Sequence, residues 1–191
     1  DRSKHTKDLD LLISQTKRCS EILKQISQKK IINDQFLSEM NLEDLLEEII
    51  KSFKESSEKK IYLNTVKDIN KINIKRTPEL VYGLRNFIGN AVKFSNNEVQ
   101  ISIESDNINL LVIIDDDGPG FPEDIIKALG EPYIKTRSKR VKNNAGLGLG
   151  TFLGKTLLER QSAIITFDNN GTLSGARVKI KWRINDLSTL I

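Results

Sequence analysis

The sequence predicts an α+β fold: a two-layer α/β sandwich with helices on one face of a sheet, preceded by one helix of a different character. Three observations lead there. Strand patterns dominate the second half of the chain, with helix patterns placed between them, the order expected of helices laid on a sheet. The last strand pattern alternates Val178, Ile180 and Trp182 with Arg177, Lys179, Lys181 and Arg183, so it has one apolar and one polar face. Near the N-terminus, Leu9, Leu12, Thr16, Cys19, Leu23 and Ile26 keep alternating spacings of three and four, a narrow seam typical of a helix in a bundle or coiled coil.

That seam makes residues 8–30 a helix of a bundle or coiled coil, with Thr16 and Cys19 as its weak positions. A helix packed on its own domain is the plainer alternative. Asn41–Phe53 is a second helix, with Asn41 as N-cap and acids in its first turn. Two short strands follow, near Ile61–Leu63 and Ile72–Lys75. Thr77-Pro78-Glu79 is a helix start, an N-cap followed by proline at the first helical position, and that helix runs to about Phe94. Asn96-Asn97 turns into Val99–Glu104, an alternating strand. Leu110–Ile114 is an unbroken apolar run, hence a buried strand, and it stops at Asp115-Asp116-Asp117-Gly118-Pro119-Gly120. A short helix near Glu123–Leu129 precedes an irregular basic stretch, 130–145. Glycines at 146–150 open a helix to about Arg160. Strands Ala163–Asp168 and Ala176–Arg183, joined through Asn169-Asn170-Gly171, finish the domain.

Composition excludes several classes of function. Lys plus Arg number 30 against 26 acids, mixed along the chain, without the dense basic patch of a nucleic-acid binder. One cysteine excludes an internal disulfide framework, and one histidine excludes a His-rich metal site. No apolar run approaches the roughly 18 residues of a membrane span. The chain starts inside a helix pattern without Met, so a longer parent chain is expected.

Three clusters carry chemistry. Asn86, Asn90 and Lys93 share one stripe of the Thr77 helix, opposite Leu84, Ile88 and Ala91. Amides offer neutral oxygens to Mg²⁺ and lysine offers charge to phosphate, although such a stripe taken alone is more simply a solvated face. In the Asp-rich turn, Asp116 stands at a strand end before Gly-x-Gly, where the backbone can approach a planar ligand and a carboxylate can accept from an exocyclic amine. An ordinary loop, or a cation site made of three aspartates, is the alternative there. The third cluster, Gly146-Leu147-Gly148-Leu149-Gly150 at a helix start, suits an anion. It is not a Rossmann turn, since no strand precedes it. Nor is Gly154-Lys155-Thr156 a Walker A ending, since Leu149 stands where glycine is required.

In this order, roughly thirty residues apart, the clusters form a set. Asn86-Phe87-Ile88-Gly89-Asn90-Ala91-Val92-Lys93-Phe94-Ser95 resembles the N box of sensor histidine kinase ATP-binding domains, in the GHKL superfamily. Asp116-Asp117-Gly118-Pro119-Gly120 resembles the G1 box and Gly146–Gly150 the G2 box. Glu131-Pro132-Tyr133 stands where the F box lies, with Tyr133 for the usual Phe. GEPYIKTR, GLGLGTFLGKTLLER, GARVKIKW and LLISQTKRCSEIL are similar to the RegB/PrrB-type redox-responsive sensor kinases.

The resemblance implies a Bergerat-type ATP-binding fold over 35–191, preceded over 1–34 by the C-terminal helix of a dimerisation and phosphoacceptor hairpin. It implies ATP and Mg²⁺ as cofactors, with Asn90 as metal ligand, Asn86 in the same pocket, Lys93 on phosphate and Phe94 near the nucleotide. Asp116 would bond the adenine amine, with Gly118 and Gly120 shaping that wall. Gly146, Gly148 and Gly150, with Leu147 and Leu149 between them, would surround the phosphates at the base of a mobile lid that carries Tyr133, Lys135, Arg137 and Lys139. Water-splitting relatives carry Glu where this chain has Asn86, which cannot take a proton at neutral pH. Transfer to a histidine is therefore expected, with an ATP-driven conformational ATPase, or a nucleotide-binding module without transferase activity, as alternatives. Implied partners are a second copy through the hairpin helix and a response regulator, in a bacterial cytoplasmic domain whose full-length protein can be anchored in the inner membrane. His5 lacks the His-Glu/Asp-x-x-Pro setting of an acceptor, so this fragment is not expected to autophosphorylate alone. Cys19, beside Lys17 and Arg18, is either a small seam residue or a redox-sensitive thiol.

Overall fold

The computed structural model describes residues 39–65, 73–131 and 149–188. The expected seam helix over 8–30 and the expected lid lie outside these. The elements in chain order are β1 (Glu39–Asn41), α1 (Leu42–Lys54), β2 (Lys60–Thr65), β3 (Asn73–Lys75), α2 (Pro78–Phe94), β4 (Glu98–Ser105), β5 (Asn109–Asp116), α3 (Leu149–Glu159), β6 (Ile164–Asp168), β7 (Arg177–Arg183) and α4 (Ile184–Ser188). β1 and β3 form an antiparallel ribbon. The others form a five-stranded sheet in the order β2-β4-β5-β7-β6. All of its pairings are antiparallel except β2 with β4. That parallel pair needs a long crossover, and α2 supplies it.

The two main helices begin as their sequences predict. Asn41 Oδ1 accepts from the Glu43 N–H at 2.8 Å, and Thr77 Oγ1 accepts from the Leu80 N–H at 3.2 Å behind Pro78. The C-terminus of α2 is closed by Lys59, whose Nζ donates to the carbonyls of Val92 at 2.6 Å and Ser95 at 2.5 Å. A cation is favoured at this negative end of the helix.

Alternation sends Val99, Ile101 and Ile103 of β4, and Val178, Ile180 and Trp182 of β7, to one sheet face. There they pack against Leu45, Leu46 and Ile49 of α1 and against Leu84, Phe87 and Ile88 of α2. The expected sandwich with helices on one face is the observed one. α3 packs closely on α2, because a Cβ at Gly83 would lie 2.5 Å from Leu158 Cγ. Gly154 likewise lets Phe87 and Asn86 approach, at 3.1 and 3.2 Å from its Cβ position.

Two elements appear that the sequence did not announce, and one expected helix changes. β1 spans only Glu39–Asn41, too few residues to show a period, and it forms by pairing with β3. The helix expected over 123–129 shrinks to one 3₁₀ turn, Ile126–Ala128. It is preceded by a turn closed from the Ile125 N–H to the Pro122 carbonyl and followed by Gly130 at φ +89°. α4 continues directly from β7 and carries no N-terminal signal in the sequence.

Candidate functional site

The polar stripe of α2 is approached by two other segments: the first turn of α3 comes close to Asn86 and Asn90, and the turn after β5 comes close to the Phe94 carbonyl at the helix end. On α2, Asn86 and Asn90 are one turn apart and face α3. Both carboxamide oxygens lie 3.6 Å from the Cβ position of Gly150. Asn86 donates its own N–H to the Tyr82 carbonyl at 2.7 Å. Asn90 donates to Thr151 Oγ1 at 3.2 Å. With their N–H groups so engaged, the two side chains keep oxygens for a ligand. Leu149 and Gly150 open α3, and its first-turn N–H groups have no partner within the helix. The Lys93 ammonium lies 5.0 Å from the ring centroid of Phe94. Tyr133, Lys135, Arg137, Gly146, Leu147 and Gly148 lie outside the described residues.

The three consecutive aspartates take different directions. Asp115 is on the outer sheet face, where Arg177 donates to it twice, Nε to Oδ1 at 2.6 Å and Nη2 to Oδ2 at 2.7 Å. Thr172 Oγ1 donates to the same carboxylate at 2.9 Å. Burial pushes the Asp115 pKa up, but the Arg177 and Thr172 hydrogen bonds outweigh it, so the net shift is downward. Asp117 has left the strand and accepts from the backbone N–H groups of Asn96 at 2.8 Å, Asn97 at 2.9 Å and Glu98 at 3.1 Å. Slight burial opposes these bonds, and they hold its pKa below the usual value.

Asp116 follows Leu110, Val112 and Ile114 on the inner face of β5 and is 4% exposed. Its Oδ1 accepts from the N–H groups of Gly118 at 2.8 Å and Ala176 at 3.1 Å. Burial raises its pKa and the neighbouring charges of Asp117 and Asp115 add to that, against those two bonds. A three-aspartate cation site is therefore not what this turn makes. Among the described residues no group of three or more His, Cys, Asp or Glu could hold a metal ion.

Gly118 is required by space, because a Cβ there would meet the Phe94 carbonyl and lie 2.8 Å from Asp116 Oδ1. Gly120 has φ +73°, a left-handed conformation that glycine adopts without cost. The β6–β7 connection was expected only as a turn, yet Asn169, Gly171, Thr172, Gly175 and Ala176 all touch the Asp-rich segment. Asn-Asn-Gly was the available signal, but it reads as a turn and not as a contact. Arg177, on the polar face of β7, has a side chain only 16% exposed because of its ion pair with Asp115.

Comparison with known proteins agrees with this geometry. Residues 76–185 match the family model described as histidine kinase-, DNA gyrase B-, and HSP90-like ATPase. The chain is 32% identical over 198 residues to the sensor histidine kinase RegB of Cereibacter sphaeroides, covering 94% of this chain and 43% of that protein. The chain thus spans less than half the length of that curated relative. Among solved structures, a mycobacterial sensor histidine kinase, MprB, superposes with TM-score 0.62 at 15% identity, covering 77% of this chain and 97% of that one. The ATP-binding domain of PrrB from Mycobacterium tuberculosis superposes with TM-score 0.59 at 22% identity, over 78% of this chain and 97% of that one. These two similarities concern the fold.

Proposed function

Since the chain belongs to the histidine kinase-, DNA gyrase B-, and HSP90-like ATPase family, we propose that residues 35–191 are the ATP-binding catalytic domain of a two-component sensor histidine kinase. In this reading ATP lies between α2, the Asp116 turn and the start of α3. The carrying observation is the pair of uncharged carboxamides, Asn86 and Asn90, whose oxygens both lie 3.6 Å from the position a Cβ would take on Gly150 at the head of α3. Similarity to RegB over 94% of the chain supports the kinase rather than the alternative classes.

The residues divide the work by chemistry. Oδ2 of Asp116 accepts from the adenine amine, since both bonds from Gly118 and Ala176 go to Oδ1. The first-turn N–H groups of α3 and the positive end of its dipole hold the phosphates, with Lys93 adding charge. Asn90 holds Mg²⁺ through its carboxamide oxygen, and Asn86 lines the same pocket. The donor set fits, because Mg²⁺ keeps most of its ligands as water and phosphate and takes few protein oxygens. A bound Mg²⁺ supplies charge neutralisation on the phosphates.

Asn86 has no proton-accepting role at neutral pH, so water is not activated there. The γ-phosphoryl passes instead to a histidine presented by a hairpin. Residues 1–34 belong to that hairpin and dimerise with a second copy, and a response regulator receives the phosphoryl group. The same resemblance adds Tyr133, Lys135, Arg137, Gly146, Leu147 and Gly148 to the residues expected to bind the nucleotide. The full-length protein works at the cytoplasmic side of a bacterial membrane.

Calorimetry with ATP tests the site. Asn90→Ala is expected to abolish the Mg²⁺-dependent part of the affinity. Asp116→Asn is expected to weaken adenine binding by at least tenfold, the order of a hydrogen bond to a charged group. Unchanged ATP binding in both variants rejects the assignment.

A further inference from the structure

The β6–β7 connection touches the Asp-rich segment at three separate places. On the outer face, Thr172 donates to Asp115, and a Cβ at Gly171 would lie 2.7 Å from Asp115 Oδ1. On the inner face, the Ala176 N–H bonds Asp116 Oδ1, the Asp116 N–H bonds the Ala176 carbonyl at 3.0 Å, and a Cβ at Gly175 would lie 2.6 Å from Oδ1. Beyond the strand end, the Asn169 carboxamide bonds the backbone of Phe121 twice. Its Oδ1 accepts from the Phe121 N–H at 2.7 Å, and its Nδ2 donates to the Phe121 carbonyl at 2.8 Å.

We propose that this connection is a splint for the base-binding wall and that Asn169 is its positioning residue. The proposal rests on the nucleotide reading of Asp116 and extends it to a residue that touches no ligand itself. Residues 118–121 leave the sheet after Asp116 and are not held by a strand partner. Asn169 gives the segment a substitute for one, since a carboxamide presents a donor and an acceptor in one plane, as a paired peptide does. The same side chain packs against Gly120, where a Cβ would lie 2.9 Å from its Oδ1. Phe121 in turn sets its ring edge-on to Phe167 at 5.7 Å, and Phe167 meets Phe87 of α2 at 5.9 Å. Asn169 thus ties the Gly118–Phe121 wall to the sheet end and, through these rings, to the helix that carries Asn86 and Asn90.

The chemistry of the pair gives an asymmetric test. Asn169→Asp keeps the shape and the acceptor but loses the donor and sets a carboxylate oxygen against the Phe121 carbonyl. Protonation of that carboxyl returns a donor. ATP affinity, measured by calorimetry relative to wild type at the same pH, is expected to fall about tenfold in Asn169→Ala, the order of one or two neutral hydrogen bonds. In Asn169→Asp it is expected to fall at least as far at pH 7.5 and to recover as the pH is lowered to about 4, where an ordinary aspartic acid is half protonated. A loss of affinity in Asn169→Asp that does not change with pH, or wild-type affinity in both variants, overturns the splint. Asp116→Asn, run in parallel, separates the two readings. If Asp116→Asn loses ATP while the Asn169 variants keep it, the splint alone falls. If Asp116→Asn also binds normally, the nucleotide site itself is misplaced.

Discussion

At the residue scale, three adjacent carboxylates do three different jobs because a strand alternates. Asp115 points out to Arg177 and Thr172, Asp116 points in beneath the helices, and Asp117, past the strand, ties down the turn before β4. The pH dependence follows from the directions of their shifts. Asp115 and Asp117 have lowered folded pKa values, so their stabilisation is present above the unfolded value of about 4 and is lost as pH falls through the folded values. Asp116 runs the other way: its raised pKa makes its charged form a cost near neutrality, which acidification relieves. Asp115→Asn is expected to lower stability at pH 7 by about 2–3 kcal/mol. That is below the range for fully buried pairs, because Arg177 keeps some solvent contact. Urea unfolding at pH 7 and at pH 3 checks it: the gap to wild type should shrink at the lower pH. A gap that stays constant means that the ionised pair contributes little.

At the element scale, the crossing of α2 and α3 sets the width of the site. Gly83 sits under Leu158, and Gly154 sits under Phe87, so the helices approach through glycines at two levels. Ordinarily glycine to alanine in a helix interior stabilises by about 0.5–1 kcal/mol. Here the new methyl would fall 2.5 Å from Leu158 Cγ, so Gly83→Ala is expected to destabilise by about 1–3 kcal/mol. In a Leu158→Ala background the clash is gone and the same change should be neutral or stabilising. A double-mutant cycle by urea denaturation reads the coupling, expected above about 1 kcal/mol. Simple additivity of the two changes would show that the crossing adjusts freely. The sheet has its own non-local element. β2 pairs in parallel with β4, and neither strand's pattern could announce that, since alternation specifies a face and not a neighbour.

At the scale of the whole molecule, the kinase reading makes a direct statement about the 191-residue chain. His5 is its only histidine and lacks the acceptor setting. Incubation with radiolabelled ATP and Mg²⁺ is expected to leave no acid-labile label on this chain and to label a hairpin supplied in trans. Label on His5 contradicts that reading. Much of the fold was legible because its signals are local. The caps at Asn41 and Thr77, proline at Pro78, the alternation of β7 and the strand-ending Asp-Gly turn each depend on residues within a few positions. The stripe of Asn86, Asn90 and Lys93 was legible for the same reason, since helical spacing alone places the three together. The sequence by itself therefore determined the main helices, the strands of the five-stranded sheet and the apolar face of that sheet, but not β1 or α4. Only the tertiary structure decided which aspartate faces inward with a carboxylate oxygen to offer, that Arg177 is paired rather than solvated, and that Asn169 and Ala176 brace a segment 48 and 60 residues away. Such contacts carry no period. They form when burial of the whole sheet and helix layer closes long loops, an outcome set by the summed packing of distant segments rather than by any one stretch of chain.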